Sequence, residues 1–266
     1  MYGSYLDKGT ISWLNNSRRL ILVPIGLFAQ ANGQAILPFL SEYFAKKDFE
    51  GFNNLIKKSL SLVFFVSSFA ASWFFVFNYE IIKIVYERGA FNQTDTMFTS
   101  LIFMFLSISI PFWSGILIVS KFYYAMEKTV LPMLVGSVMT FISLPLFNFL
   151  AKKYQVFGLS ITITIIKILY FIVIFAVFKK VYGNFKIKEI FIELFKIILF
   201  FAITSLGFFY LKSKLNINWF LMFSTGSFIQ IIFVIIVAKY LKIESYNEFV
   251  TKYLNRILKK LKLKKS

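Results

Sequence analysis

Runs of about twenty apolar residues recur along the whole chain, and they restrict its fold more than any other feature of the sequence. A helix rises by ~1.5 Å per residue, so a run of this length crosses the ~30 Å hydrocarbon core of a bilayer. The residues are 58% hydrophobic, with 36 Phe and a mean hydropathy of +0.73. Soluble domains are about half apolar or less. The sequence therefore predicts an all-α, polytopic membrane helix bundle.

Seven of these runs are predicted to be transmembrane helices. Cytoplasmic loops carry an excess of Lys and Arg. With seven spans, 19 basic residues lie on one side and 7 on the other, so we expect a cytoplasmic C-terminus and an extracytoplasmic N-terminus. The first residues show no signal peptide. The seven spans cover approximately residues 11–39, 60–78, 97–120, 130–150, 157–178, 190–211 and 217–238.

Composition also excludes several classes of function. The chain has no Cys and no His, which removes disulfides, thiol chemistry and imidazole catalysis, and no spacing of metal ligands is present. It lacks a nucleotide-binding loop of the G-x-x-x-x-G-K-[ST] type. The net charge is +18, yet the basic residues lie between hydrophobic runs rather than on one soluble face, which argues against nucleic acid as a partner. We expect no enzyme activity, no cofactor and no metal site.

The first span, within residues 9–41, is unusually polar for a membrane helix. It contains adjacent Arg18 and Arg19, and a charge near the bilayer centre costs at least ~2.5–3.5 kcal/mol. At about 100° per residue, small and polar residues fall within one narrow arc, and Arg18 lies about 60° to its side. Such a face requires water, a polar ligand or partner helices. The residues in the arc are Ser12, Asn15, Arg19, Gly26, Gln30 and Gly33.

The same stretch resembles the MurJ/MviN family of lipid II flippases, in the MOP exporter superfamily. The family pattern is roughly A-x-R-L-x-x-x-P-x-G, followed by LPxLS; the chain has SRRL at 17–20, LVPIGLF at 22–28 and LPFLS at 37–41. Arg19 falls on the family arginine and Pro24 on its proline. The chain departs from the family at residues 15–17, NNS, and at Arg18, where aspartate is frequent.

Two further segments support the resemblance. YERGAF at 86–91 is similar to the family's ERGAF segment, and there Gly89 is expected to end one helix and residues 92–95 to begin the next. FYYAME at 122–127 is similar to a family FYAxxD segment, with Glu127 in place of aspartate.

The resemblance implies the second half of a flippase that moves a lipid-linked peptidoglycan precursor across the bacterial cytoplasmic membrane by alternating access. Residues 1–182 would form the second lobe, 183–243 two additional transmembrane helices, and 244–266 a basic, amphipathic cytoplasmic tail that contacts membrane lipids, or else a solvated tail. The expected partners are the lipid-linked precursor, membrane lipids and an N-terminal half of the same transporter. Alternatives are a flippase for another polyprenyl-linked saccharide, a drug exporter of the same superfamily, and a non-transporting scaffold subunit.

Candidate site residues follow from the polar face. Arg19 and Arg18 are predicted to bind the phosphate or pyrophosphate of the substrate; the alternatives are a structural arginine for Arg19 and an interfacial one for Arg18. The residues predicted to line a cavity, or else to form interhelical hydrogen bonds or reach an interface, are Asn15, Gln30, Asn32, Gln34 and Lys167. The residues predicted to shape or hinge the helices are Pro24, Gly26, Pro38 and Gly89.

Overall fold

The structure, a computed structural model, describes residues 9–183, 187–214 and 218–247, and in these ranges the regular secondary structure is helical throughout. The side chains of residues 187 and 188 are outside this description. The helices are α1 (Thr10–Pro24), a π-helical segment (Ile25–Gln30), α2 (Ala31–Ala45), α3 (Phe49–Val76), α4 (Asn78–Tyr86), α5 (Gln93–Ser107), α6 (Ile110–Ala125), α7 (Val130–Tyr182), α8 (Ile187–Lys214) and α9 (Trp219–Tyr240).

The first span is one helix of 36 residues, Thr10–Ala45, whose middle is widened into the π-helical segment. The segment begins directly after Pro24, which lacks an amide hydrogen and cannot donate in the helical ladder. Helices accommodate such an interruption by a kink or a local π-bulge. A change of helix type thus directly follows Pro24, one of the residues predicted to shape the helices.

The third predicted span is broken in two. Helices α5 and α6 meet at 45° across a short break. Two hydroxyl groups bind main-chain carbonyls at the break. Ser109 donates to the Leu106 carbonyl at 2.6 Å, which also accepts the Ser109 amide at 2.9 Å. Thr164 of α7 donates to the Phe105 carbonyl at 2.9 Å. A polar break in a membrane helix requires such partners.

Helix α7 is a hairpin of two arms that meet at Gln155, whose φ of 49° and ψ of −129° are not helical. The Tyr170 hydroxyl donates to the Pro132 carbonyl at 3.0 Å, although the two residues are 38 positions apart. In a straight helix that separation would span ~57 Å. The arm from 130 to 154 therefore packs antiparallel to the arm from 156 to 182.

By length and composition, five described helices can cross a membrane, or six when α5 and α6 are taken as one bent span. That count takes α7 as a single helix. Each α7 arm exceeds the ~20 residues that a span needs. The predicted count of seven requires both arms to cross, and it stays a prediction.

Several predicted boundaries are wrong. The predicted spans leave Lys57 and Lys58 in the connection between the first two spans, but both residues lie within α3, which begins at Phe49. Asp48 starts this helix early, because its carboxylate accepts the Gly51 amide at 2.9 Å. The short helix α4 occupies residues that were predicted to be a loop after the second span.

Polar contacts join helix ends that the charge asymmetry assigns to the same side. Lys57 of α3 pairs with Glu189, before α8 crosses, and with Glu244, after α9, at 3.1 and 2.9 Å. At the other end, Lys212 of α8 pairs with Glu80 of α4 at 2.7 Å. The packing thus agrees with the predicted direction of each helix relative to the others.

Two apolar clusters hold the described helices together. One joins α2, α3, α6, α7, α8 and α9, and the other is formed mainly by α1, α3, α4 and α5. Because lipid is itself apolar, close packing rather than exclusion of water holds such helices together. The fully buried aromatic side chains at their centres are Phe52, Phe64, Phe77, Phe103, Phe122, Tyr123, Phe178 and Phe200.

Gly158→Ala is expected to open the α7 hairpin. A Cβ at Gly158 would overlap the main chain of Leu150 and lie 2.9 Å from the Ala151 amide nitrogen, and main-chain atoms of the facing arm cannot turn aside. We expect a loss of about 3 kcal/mol or more. Thermal unfolding in detergent measures it, with Gly207→Ala as control, since a Cβ there meets only Phe233, at 3.6 Å. Equal midpoints for the two variants would contradict close packing of the arms.

Candidate functional site

A cavity of about 280 Å³ lies between α1, the break of α5 and α6, and both arms of α7. It forms where the bent helix pair and the hairpin leave space beside the first span. Its lining combines two cationic residues with hydroxyl groups and apolar side chains. The lining residues are Arg18, Ile21, Leu106, Ser109, Trp113, Gly136, Met139, Thr140, Ser143, Phe147, Ile163, Ile166, Lys167 and Tyr170.

Arg18 and Lys167 both contact one aromatic ring in this cavity. The Lys167 ammonium lies 4.1 Å from the centroid of the Trp113 ring, and the Arg18 guanidinium carbon lies 6.0 Å from it. Such cation–π contacts contribute roughly 0.5–2 kcal/mol. Within the described part of the chain, neither cation forms an ion pair or a hydrogen bond, and no carboxylate lines the cavity. The site therefore has an uncompensated positive charge.

Arg19 lies outside this cavity, on the exposed side of α1. Its positive charge acts on Tyr86 at the end of α4. Burial raises the pKa of the Tyr86 phenol, and the positive charge of Arg19 partly offsets that rise. The phenol donates to the Asn16 carbonyl at 3.2 Å, which ties α4 to α1 beside Arg19. Arg19 has no ion-pair partner among the described residues.

The other predicted cavity residues divide between two surroundings. Asn15, Gln30 and Gln34 are exposed on the side of the first span that carries Arg19, so they do not join Lys167 in the cavity. Asn32 is half-buried, and its side-chain oxygen has no hydrogen-bond partner among the described residues. Apart from the buried Gly33, the predicted polar face is thus largely an outer surface, and the cavity opens beside it.

The predicted shaping residues differ in their effects. Pro24 is buried at the start of the π-helical segment, whereas Pro38 is exposed within α2 without ending it. Gly26 lies in the π-helical segment with open space where a side chain would project. Gly89 has a φ of +59° in the turn after α4, a conformation that glycine adopts at no steric cost.

The start of α5 follows the prediction made from the segment after Gly89. The Asn92 side chain accepts the Asp95 amide at 3.1 Å, and the Asp95 carboxylate accepts the Asn92 amide at 3.0 Å. This capping box begins α5 and is confirmed. Asp95 also accepts the Trp13 indole N–H at 2.8 Å, so the motif fixes α5 against α1.

The sequence did not identify Trp113 or the hydroxyl residues as parts of the site. Trp113 lies within an uncharged apolar run, where an aromatic residue ordinarily packs against lipid or core. A partial signal existed on α7: Tyr170 is three residues after Lys167, on the same helical face. Which helix that face meets depends on the α7 hairpin and the bend of α5 and α6.

The exposed face of the first span combines the polar residues with large apolar side chains. Leu27 is 65% exposed, Phe39 58% and Val23 52%. The face runs along α1, the π-helical segment and α2, and the polar groups on it are unsuited to lipid. No described helix covers the exposed side chains of this face.

Comparison with known proteins identifies one family. The family model described as "Lipid II flippase MurJ" matches residues 2–234. A protein of Bdellovibrio bacteriovorus, described as a probable lipid II flippase MurJ, is 25% identical over 67% of this chain and 34% of its own length. The lipid II flippase MurJ of Thermosipho africanus is 27% identical over 57% of this chain and 31% of its own.

A solved structure agrees with these matches. It is that of a lipid II flippase MurJ in an inward closed conformation, with a TM-score of 0.73 and 26% sequence identity. The match covers 94% of this chain and 50% of that chain. The present chain thus spans about half the length of the solved relative, and its matched stretch spans about a third of the length of the curated ones.

Proposed function

Because the chain belongs to the MurJ family of lipid II flippases, we propose that it forms the second lobe of such a flippase together with the two helices that follow. The observation that carries this proposal is the family match over residues 2–234, in a helical bundle that covers half of a solved flippase. The activity is transport of a lipid-linked peptidoglycan precursor from the cytoplasmic to the outer leaflet of the bacterial cytoplasmic membrane. It requires no reaction on the substrate.

The exposed face of the first span supports a role for it as the inner wall of a two-lobed transporter. Transporters of this kind bind substrate near the bilayer midplane, at the interface between two repeats, and rock one repeat against the other. A face that carries Arg19, Gln30 and Gln34 beside apolar residues fits a surface that alternates between a partner lobe and a water-filled cavity. Its occupant is an N-terminal half with six or seven spans.

The chemistry of the substrate fits the cations on this face. A lipid-linked precursor carries a pyrophosphate between its polyprenyl chain and its sugars. A guanidinium binds phosphate oxygens through a planar fork of donors, and among the described residues no carboxylate pairs with Arg19. Arg19 can therefore bind this group at the interface between the lobes. The polar residues nearby keep that part of the cavity hydrated.

Single cysteines introduced into this cysteine-free chain test the topology. Cysteines at 47 and 183 are expected to be cytoplasmic, and cysteines at 92 and 154 extracytoplasmic, because the Lys-rich segments at 46–58 and 179–188 stay inside. An impermeant thiol reagent added to intact cells should label only the second pair. External labelling at 47 or 183 would refute the seven-span arrangement, whereas failure at 154 would show that the α7 hairpin does not cross.

Direct translocation tests the function itself. Vesicles that contain this chain and an N-terminal half are expected to move a labelled lipid-linked peptidoglycan precursor between leaflets, and vesicles without protein are not. Movement of another polyprenyl-linked saccharide, but not of the peptidoglycan precursor, would place the chain among flippases of different specificity. Assembly of the two halves with no movement of either lipid would favour a scaffold subunit.

A further inference from the structure

The cavity beside α1 contains a cationic side chain, Lys167, that comes from α7 and not from the first span. We propose that Lys167 and Arg18 together bind one phosphate-class oxyanion over the Trp113 ring. Lys167 is thus a binding residue contributed by the α7 hairpin. Whether the oxyanion belongs to a lipid-linked headgroup or is free pyrophosphate depends on the proposed function. The existence of the binding site does not depend on it.

Charge is the first argument. Two like charges in one membrane-embedded cavity repel each other, and the half-buried Lys167 ammonium is also partly removed from water. Within the described residues no carboxylate lines the cavity, and both cations lie over the Trp113 ring. An anion between them offsets both charges at once.

The available donors are the second argument. Four hydroxyl groups line the cavity, and each already donates to a main-chain carbonyl, at distances from 2.6 to 3.0 Å. Arg18 and Lys167 therefore supply the charged donors that remain for a ligand. A ligand that only accepts hydrogen bonds, and is negatively charged, matches that arrangement. The four hydroxyl residues are Ser109, Thr140, Ser143 and Tyr170.

Size is the third argument. The cavity volume of about 280 Å³ lies just below the ~300–1,000 Å³ typical of sites for drug-sized ligands. A phosphate or diphosphate group fits within it, whereas a complete saccharide–peptide headgroup does not. The site therefore recognises the oxyanion and leaves the rest of a larger substrate outside.

Inorganic pyrophosphate is the probe for the site, with the full chain in detergent at constant ionic strength. We expect the thermal unfolding midpoint to rise with pyrophosphate concentration, because a ligand that binds the folded state stabilises it. Lys167→Gln is expected to weaken binding by about tenfold or more. Arg18→Gln, whose side chain is exposed, gives an independent measurement should Lys167→Gln fail to fold.

Lys152→Gln is the matched control, since it removes the same charge from an exposed position on α7. It should bind pyrophosphate like the unchanged chain. The proposal is overturned if the unchanged chain does not bind, if neither Lys167→Gln nor Arg18→Gln weakens binding, or if Lys152→Gln weakens it equally.

The source of the oxyanion is resolved by competition. Farnesyl diphosphate, but not farnesol, should displace pyrophosphate if the site accepts a polyprenyl-linked group, and Lys167→Gln should then slow translocation by the assembled halves. Displacement by inorganic phosphate alone, with translocation unchanged, identifies a free anion as the occupant. Both results support the site, and neither binding measurement depends on flipping.

Discussion

Arg19→Ala is expected to abolish flipping by a transporter that contains both lobes, while the protein remains in the membrane at its normal level. Arg19 is exposed and forms no ion pair among the described residues, so its removal costs little stability, within about 0.5 kcal/mol. Its loss removes a guanidinium from the interface where the substrate phosphate is proposed to bind. Arg19→Lys should restore little activity, because an ammonium is a point charge without the planar fork.

The measurement is growth of cells depleted of their own flippase, with the level of each variant followed by immunoblot. Arg88→Ala is the control, since Arg88 is an exposed arginine in the turn after α4 and does not belong to the first span. It should support growth. Full activity of Arg19→Ala would show that Arg19 has no part in transport, and equal loss in Arg88→Ala would show a general effect of charge.

The sequence predicted the class of fold because a bilayer restricts it so strongly. Apolar runs of this length leave helices as the only structure that satisfies every main-chain group in lipid. The start of α5 was also predictable, because the Asn92–Asp95 capping box is a local interaction within four residues. The interruption at Pro24 follows from one missing amide hydrogen in the same way.

The breaks in the long helices were less predictable. Gln155 reverses α7 with a positive φ, a conformation for which glutamine carries no sequence signal, and a packing contact at Gly158 stabilises the turn. The bend between α5 and α6 depends on Thr164, which is almost sixty residues further along the chain. Local sequence patterns do not contain such contacts.

The residues of the cavity also divide into those that local sequence predicted and those that depend on long-range contacts. Helical periodicity placed Arg18 beside the polar arc rather than on it, and the structure places Arg18 in the cavity and Arg19 outside. The angle between two residues on a helix is a local quantity. Which residues contact each side of the helix depends on how distant helices pack. The contact of Arg18 and Lys167 with the Trp113 ring could therefore not be predicted.

A second large effect is expected when the two halves are separated. Alternating access needs two lobes around a shared site, and residues 1–266 match half of a solved flippase. The first span is also poorly suited to insert alone, because Arg18 and Arg19 each disfavour insertion by about 2.5–3.5 kcal/mol at the helix centre. A partner lobe covers the polar face and removes part of that cost. Residues 1–266 alone are therefore expected not to flip substrate.

Rescue of flippase-depleted cells tests this account most directly. Four strains are compared: residues 1–266 alone, an N-terminal half with six or seven spans alone, both halves together, and both halves with Arg19→Ala. The measured quantity is the lipid-linked precursor that becomes accessible on the outer leaflet, together with growth. The account predicts precursor at the outer leaflet, and growth, only with both unchanged halves. Rescue by residues 1–266 alone would contradict it and indicate that two copies of this chain assemble into a complete transporter.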